Sequence, residues 1–130
     1  MAVKQLTTEK FIELIFDFNQ AESWQFKGEI PAIIDFYADW CGPCKAVKPL
    51  LEELSDEFEG KINIYKVDTE SETDLSEMFG IQSIPSFLFI PLTGSPIMQA
   101  GAFPKNVFKE VINEYLLNSK QTIEQEGENN

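Results

Sequence analysis

Pro31-Ala32-Ile33-Ile34-Asp35-Phe36-Tyr37-Ala38-Asp39-Trp40-Cys41-Gly42-Pro43-Cys44-Lys45 is the stretch on which the fold turns. Pro31 to Ala38 is apolar on both faces and partly β-branched, as a central strand covered by helices on both sides would be. A helix is predicted from Cys41 to Phe58, with Val47, Leu50, Leu51 and Leu54 on its apolar stripe. Pro49 inside that pattern predicts a bend, because proline removes one backbone hydrogen bond. Cys41 and Cys44, the only cysteines of the chain, therefore fall at the first turn of a helix. Two residues apart, they can close a small disulfide. The unpaired N–H groups and the dipole of a helix start also favour a thiolate over a thiol. Such a pair is a redox centre and contributes little as a staple.

The rest of the composition narrows the field. With 130 residues, 43% of them hydrophobic and eleven of them phenylalanine, the chain is long enough to bury one core without disulfides or metal. Its formal charge of −12, from 22 acidic against 10 basic residues, argues against nucleic acid and anionic membrane surfaces as partners. No apolar run reaches the ~18–20 residues of a membrane helix. Met1 to Leu6 lacks the features of a secretory signal. The chain as given thus reads as cytoplasmic, with a periplasmic location as the alternative if a signal peptide has been removed. Zinc competes for a Cys-x-x-Cys pair, but a structural site needs four nitrogen or sulfur ligands. There is no histidine and no second cysteine pair, so no metal and no cofactor is expected.

Outward from the central stretch, the pattern alternates. Val3 to Leu6 fits a short strand. Thr7-Thr8-Glu9 offers an N-cap for an apolar helical face from Phe11 to Phe16, and residues 17–29 read as a connection or helix extension. After Gly60, Ile62 to Val67 is the next strand and closes a strand–helix–strand crossover, which joins parallel strands. Ser71 to Phe79 reads as a short helix capped by Ser71 or Thr73 and stopped by Gly80. Ser86–Ile90 and Ile97–Ala100 are strands joined by the turn residues Pro91 to Ser95. A last helix is predicted from Lys105 to Leu117 with Val107, Phe108, Val111, Ile112 and Tyr115 inward. The order β-α-β-α-β-α-β-β-α is an α/β fold: a mixed sheet of about five strands flanked by about four helices. One domain, residues 1–117, accounts for it, and residues 118–130 read as an acidic, disordered tail.

Between about Leu6 and Leu117 the chain resembles the thioredoxin family. The resemblance rests on separated features: Asp35-Phe36-Tyr37-Ala38 leading into Trp40-Cys41-Gly42-Pro43-Cys44-Lys45, then Pro49, Val67-Asp68, Ile84-Pro85, Gly94 and Gly101. It implies a thioredoxin fold and thiol–disulfide exchange at this pair. Cys41, expected to be exposed, is the attacking thiolate. Cys44, one turn in and more buried, resolves the mixed disulfide. Gly42-Pro43 sets the loop: proline preorganises the first helical turn, and glycine leaves the backbone latitude beside the sulfur. Gly-Pro resembles the reducing members, whose oxidising and isomerising relatives usually carry a histidine there.

Asp35 interrupts an apolar strand. Burial of an unpaired carboxylate raises its pKa, and the resemblance places it beneath Cys44 as proton acceptor and donor. The alternative is an acid satisfied by a neighbour, such as Lys66. Counted back from Val67-Asp68, the position where many bacterial thioredoxins have a lysine near this acid holds Ile64. Ile84-Pro85 resembles the family's cis-proline, opposite the cysteines, where Ile84 offers backbone groups to an extended substrate. Trp40, partly exposed, and Gly101 complete the expected docking surface. Lys45 and Lys48 read as a solvated helix face, with Lys45 also able to assist the thiolate.

The resemblance therefore implies a monomeric dithiol–disulfide oxidoreductase that reduces protein disulfides, served by a thioredoxin reductase or an equivalent electron donor. Two rivals stand beside it: an oxidase or isomerase of an oxidising compartment, and a non-catalytic binding or chaperone module on the same fold.

Overall fold

A computed structural model of the chain describes residues 3–117. The predicted acidic tail lies outside the described residues. The elements are β1 (Lys4–Gln5), α1 (Thr8–Leu14), β2 (Ala32–Tyr37), α2 (Gly42–Glu57), β3 (Asn63–Asp68), α3 (Thr73–Met78), β4 (Ser86–Ile90), β5 (Ile97–Ala100) and α4 (Lys105–Val111). A π-helical segment, Ile112–Leu117, continues α4. The strands form one five-stranded sheet in the order β1-β3-β2-β4-β5. β3 runs parallel to β1 and β2, whereas β4 is antiparallel to β2 and β5. This is the mixed sheet and element order that the residue pattern predicts.

Side-chain alternation along a strand sends successive residues to opposite faces, and here it builds two cores. Ala32, Ile34 and Phe36 of β2 join Leu6, Phe11, Ile15, Val67, Leu75, Leu88 and Ile90 under α1 and α3. Ile33 joins Val47, Leu51, Leu54, Ile64, Phe87, Phe89, Phe108 and Ile112 under α2 and α4. Asp35 has the parity of Ile33, so its carboxyl faces the α2 side. A central strand buried on both faces gives that carboxyl no route to bulk water along the sheet. Phe87 packs edge-on against Phe108 with ring centroids 4.8 Å apart, which seats α4 on β4 with the geometry aromatic pairs prefer.

Local details depart from expectation at the cap of α3 and at the end of the last helix. The N-cap of α3 is Glu72, not Ser71 or Thr73, and it makes no side-chain cap bond. Its carboxylate is occupied elsewhere, accepting from the Thr8 N–H at 2.9 Å and from the Thr8 hydroxyl at 3.0 Å at the start of α1. The last helix passes into the π-helical segment, and its buried residues are Phe108, Ile112 and Leu116. Tyr115, expected inward, packs half-buried against the α2-side core, and its hydroxyl donates to the Ser95 carbonyl in the β4–β5 turn. Residues 17–29 are a connection and not a helix extension. α1 stops at Leu14, and Phe16 packs against Trp24 with tilted rings, centroids 5.0 Å apart. α2 continues through Pro49 from Gly42 to Glu57.

Candidate active site

The site begins where β2 ends. Ala38 carries the chain out of the sheet, and the Cys41 N–H donates back to the Ala38 carbonyl at 3.1 Å. This tight turn puts Cys41 at the N-cap of α2 in extended backbone, φ −86° and ψ 112°. Its sulfur accepts from the Cys44 N–H at 3.2 Å, so a sulfur performs the task a Ser or Asp oxygen usually performs at this position. Pro43 occupies the first turn, where its missing N–H costs no hydrogen bond. Cys41 and Cys44 are paired as a disulfide with Cα atoms 5.3 Å apart, within the normal span of such a bond. Among the described residues there is no group of acidic and cysteine side chains suited to a metal ion. No described helix is long and apolar enough to cross a membrane.

One expectation is corrected here. Cys41 is 4% exposed and Cys44 5%, so the first cysteine is as buried as the second. Both pack with Ala38, against Tyr37 and Ile84. The exposed neighbour is Trp40, at 68%. Gly42 is also exposed, and an added Cβ there would meet nothing within 4 Å. Nor is its φ positive. The latitude expected of Gly42 is thus not required by this chain's own backbone.

Ile84-Pro85 is a cis peptide bond, and the Ile84 carbonyl oxygen lies 3.9 Å from the Cys41 sulfur. Gly101 adopts φ +120°, a region open essentially to glycine alone, and its N–H donates to the Pro85 carbonyl at 2.9 Å. The backbone conformation therefore accounts for this glycine, which holds the Pro85 peptide in place. A groove of about 240 Å³ next to Ile84 is lined by Trp40, Thr69, Ser76, Ile81, Gln82 and Ser83. None of those side chains is charged.

On the Cys44 side lies a second cavity of about 150 Å³, shared by Asp35, Tyr37, Ala38, Asp39, Cys44, Lys45, Lys48 and Lys66. Asp35 is 5% exposed, and its Oδ1 has no hydrogen-bond partner among the described residues. Burial pushes its pKa from 3.8 up to about 7, and the Lys66 ammonium pulls it partly back. Desolvation of the charged form wins because no direct ion pair offsets it. That separates the two readings of Asp35: Lys66 is a neighbour in the field, but it does not satisfy the acid.

The expectation that Ile64 takes the place of a lysine near Asp35 is also corrected. In the β2–β3 register Asp35 stands opposite Lys66, whereas Ile64 stands opposite Ile33 and is part of the α2-side core. Lys66 also lies over the Tyr37 ring, 5.9 Å from its centroid. Tyr37 is a cavity residue that reading along the sequence did not assign, and Lys66, raised there only as a possible partner of Asp35, lines the same cavity. The signal was the parity of β3, legible only once its register with β2 is known.

The structure thus gathers Trp40, Cys41, Cys44, Asp35, Ile84, Pro85 and the backbone of Gly101 around one disulfide. The thioredoxin family model matches residues 3–114. The chain is 46% identical over 110 residues to the thioredoxin of Borreliella burgdorferi, covering 85% of this chain and 94% of that one. It is 39% identical over 95 residues to the thioredoxin of Haemophilus influenzae, covering 73% and 89%. The crystal structure of chloroplastic thioredoxin z superimposes with a TM-score of 0.74 at 26% identity, over 88% of this chain and 94% of that one. A cysteine pair at a helix N-cap, with a cis-proline against it and this likeness along nearly the whole described chain, establishes that the protein belongs to the thioredoxin family and is a thiol–disulfide oxidoreductase.

Proposed function

We propose that the protein works in the reducing direction on protein disulfides, with Cys41 as nucleophile, Cys44 as resolving thiol and Asp35 as the group that exchanges the Cys44 proton. The observation that carries this reading is the N–H of Cys44 aimed at the Cys41 sulfur at 3.2 Å. In the reduced protein the same donor, with the positive end of α2 behind it, favours a thiolate at Cys41. That thiolate attacks one sulfur of a substrate disulfide. A mixed disulfide forms, and the other substrate sulfur leaves as a thiolate. Cys44 then loses its proton towards Asp35 and attacks the Cys41 sulfur. The Cys41–Cys44 bond closes and the second substrate thiol departs. Two electrons pass from the cysteine pair to the substrate; Asp35 relays the Cys44 proton to one departing sulfur, and solvent protonates the other.

An acid with a pKa of about 7 suits the proton step, since a base poised near ambient pH has both the right ionisation state and driving force. Trp40, the Ile84 carbonyl and the cis Pro85 form the docking side, where an extended substrate pairs mainly through backbone. Gly101 keeps that side's backbone in register. Gly42 and Pro43 form a loop without the histidine of oxidising relatives. Residues 1–117 act as one monomeric domain, reduced by a thioredoxin reductase or equivalent donor in a reducing, cytoplasmic compartment. No cofactor and no metal takes part. The deciding experiment is equilibration with glutathione to obtain the reduction potential. The expected couple is more reducing than the glutathione pool, and a value in the range of disulfide isomerases would overturn the direction.

A further inference from the structure

Lysines are scarce in this acidic chain, and where they sit is informative. Lys10 pairs with Glu13, while Lys105 and Lys109 pair with the α2 carboxylates Glu53 and Glu57. Lys45 and Lys48, like Lys4, Lys27 and Lys61, make no such pair among the described residues, but of these five only Lys45 and Lys48 border the cavity that reaches Cys44. Both are exposed on the first turns of α2, and neither has an ion-pair partner among the described residues. Glu52, one turn beyond Lys48, instead accepts from the Val3 N–H at 3.3 Å. A helix N-terminus favours anionic side chains, yet α2 has no acidic residue in its first turn. Lys45 therefore sits where the helix dipole opposes it, and Lys48 lies one turn further in. Burial and Lys66 account for the perturbation of Asp35, and neither Lys45 nor Lys48 contributes to it. Their charges are not used within the fold.

Both side chains belong to residues that border the cavity reaching Cys44. Resting on the oxidoreductase reading above, we propose that Lys45 and Lys48 form an anionic docking site for the partner protein, taking an Asp or Glu side chain beside the disulfide being exchanged. The carboxylate stays at the rim, because Asp35 on the cavity wall and exposed Asp39 repel it from the interior. The rest of the surface carries a strong excess of negative charge. An acidic partner is therefore repelled in most orientations and attracted in the one that brings its disulfide to the cysteines. Such a field selects orientation and encounter rate more than final affinity.

The test uses the full reduced chain and three disulfide-cyclised peptides of one sequence, flanked by paired aspartates, asparagines or lysines. Thiol release gives kcat/KM for each. At low ionic strength the aspartate peptide should be reduced about threefold faster than the asparagine peptide, the size expected of one or two exposed charge contacts. The advantage should vanish at about 0.5 M salt, where screening is short-ranged. Lys48→Gln should bring the aspartate-to-asparagine ratio close to unity, and the double change with Lys45→Gln should abolish it. Lys61→Gln, with the same change in net charge at an exposed position away from the cavity, should leave the ratio intact. Preference for the lysine peptide, or a ratio that Lys61→Gln lowers as much as Lys48→Gln, would overturn the proposal. Failure to reduce even the asparagine peptide would instead overturn the reductase reading, and this proposal with it.

Discussion

The two openings at the disulfide contrast in nearly every property. The groove beside Cys41, between Trp40 and Ile84, is neutral and fronted by a tryptophan with two-thirds of its surface in water. The cavity beside Cys44 is smaller, and charged residues crowd it, one of them a buried acid without a hydrogen-bond partner. An exposed aromatic beside carbonyl groups is suited to holding another chain. A buried carboxyl poised near neutrality is suited to holding a proton. The same four-residue ring thus borders both sides: Trp40 and Ile84 line one opening, and Cys44 and Asp35 line the other.

The strongest way to break this division is at the sulfurs. Cys41→Ser should lower insulin-disulfide reduction by more than about a thousandfold, since nothing else at the site supplies the nucleophile. Cys44→Ser should also stop turnover but leave the first step, so mass spectrometry should find the chain covalently joined to substrate. Mixed disulfides trapped by the Cys41 variant instead would reverse the assigned roles.

Removal of the buried acid comes next. Asp35→Asn should slow turnover at pH 7 on the order of tenfold, less than a full general-base contribution because solvent entering the cavity carries part of the proton traffic. The oxidised protein should respond in the opposite sense in stability. Between 3.8 and about 7 the folded chain binds the Asp35 proton and the unfolded chain does not. Its contribution is therefore fully present below pH 3.8 and is lost as pH rises through about 7. The linkage amounts to roughly 4 kcal/mol for a rise of this size. Denaturant unfolding at pH 5 and pH 8 should show Asp35→Asn flattening that loss and stabilising the protein at the higher pH. An unchanged pH dependence would mean that Asp35 is not a buried carboxyl in solution.

On the docking side, Trp40→Ala should raise KM about fivefold with little change in kcat, as removal of an interface tryptophan does. Its melting temperature should stay near the native value, because so little of the side chain is buried. A fall in kcat with KM intact would move Trp40 to the proton side of the comparison. The smallest effect sharpens the electrostatics. Lys66→Gln should move the Asp35 titration upward, since the ammonium opposes the effect of burial. An NMR titration of the Asp35 carboxyl carbon reads the direction.

Much of this was legible along the chain. β4 and β5 fall at the residues expected of them, and the element order follows the apolar pattern. The cap of α3 did not, because its candidate Ser71 lost to a glutamate held by Thr8, 64 residues earlier. In the last helix, Tyr115 packs on the core as its period predicts, but its hydroxyl reaches a carbonyl in the β4–β5 turn, and Leu116 is the more deeply buried residue.

What the sequence by itself determined is local: a strand over Pro31 to Ala38, a helix from about Cys41, cysteines at its first turn, and a proline able to be cis. Each depends on residues within a few positions, where propensity, capping and covalent spacing act. Only the tertiary structure decided that Cys41 is buried, that Lys66 and not Ile64 faces Asp35, and that Gly101 clasps the Pro85 carbonyl. Register and burial belong to pairs of distant segments. A shift of one residue in β3 would have sent Lys66 to the opposite face of the sheet.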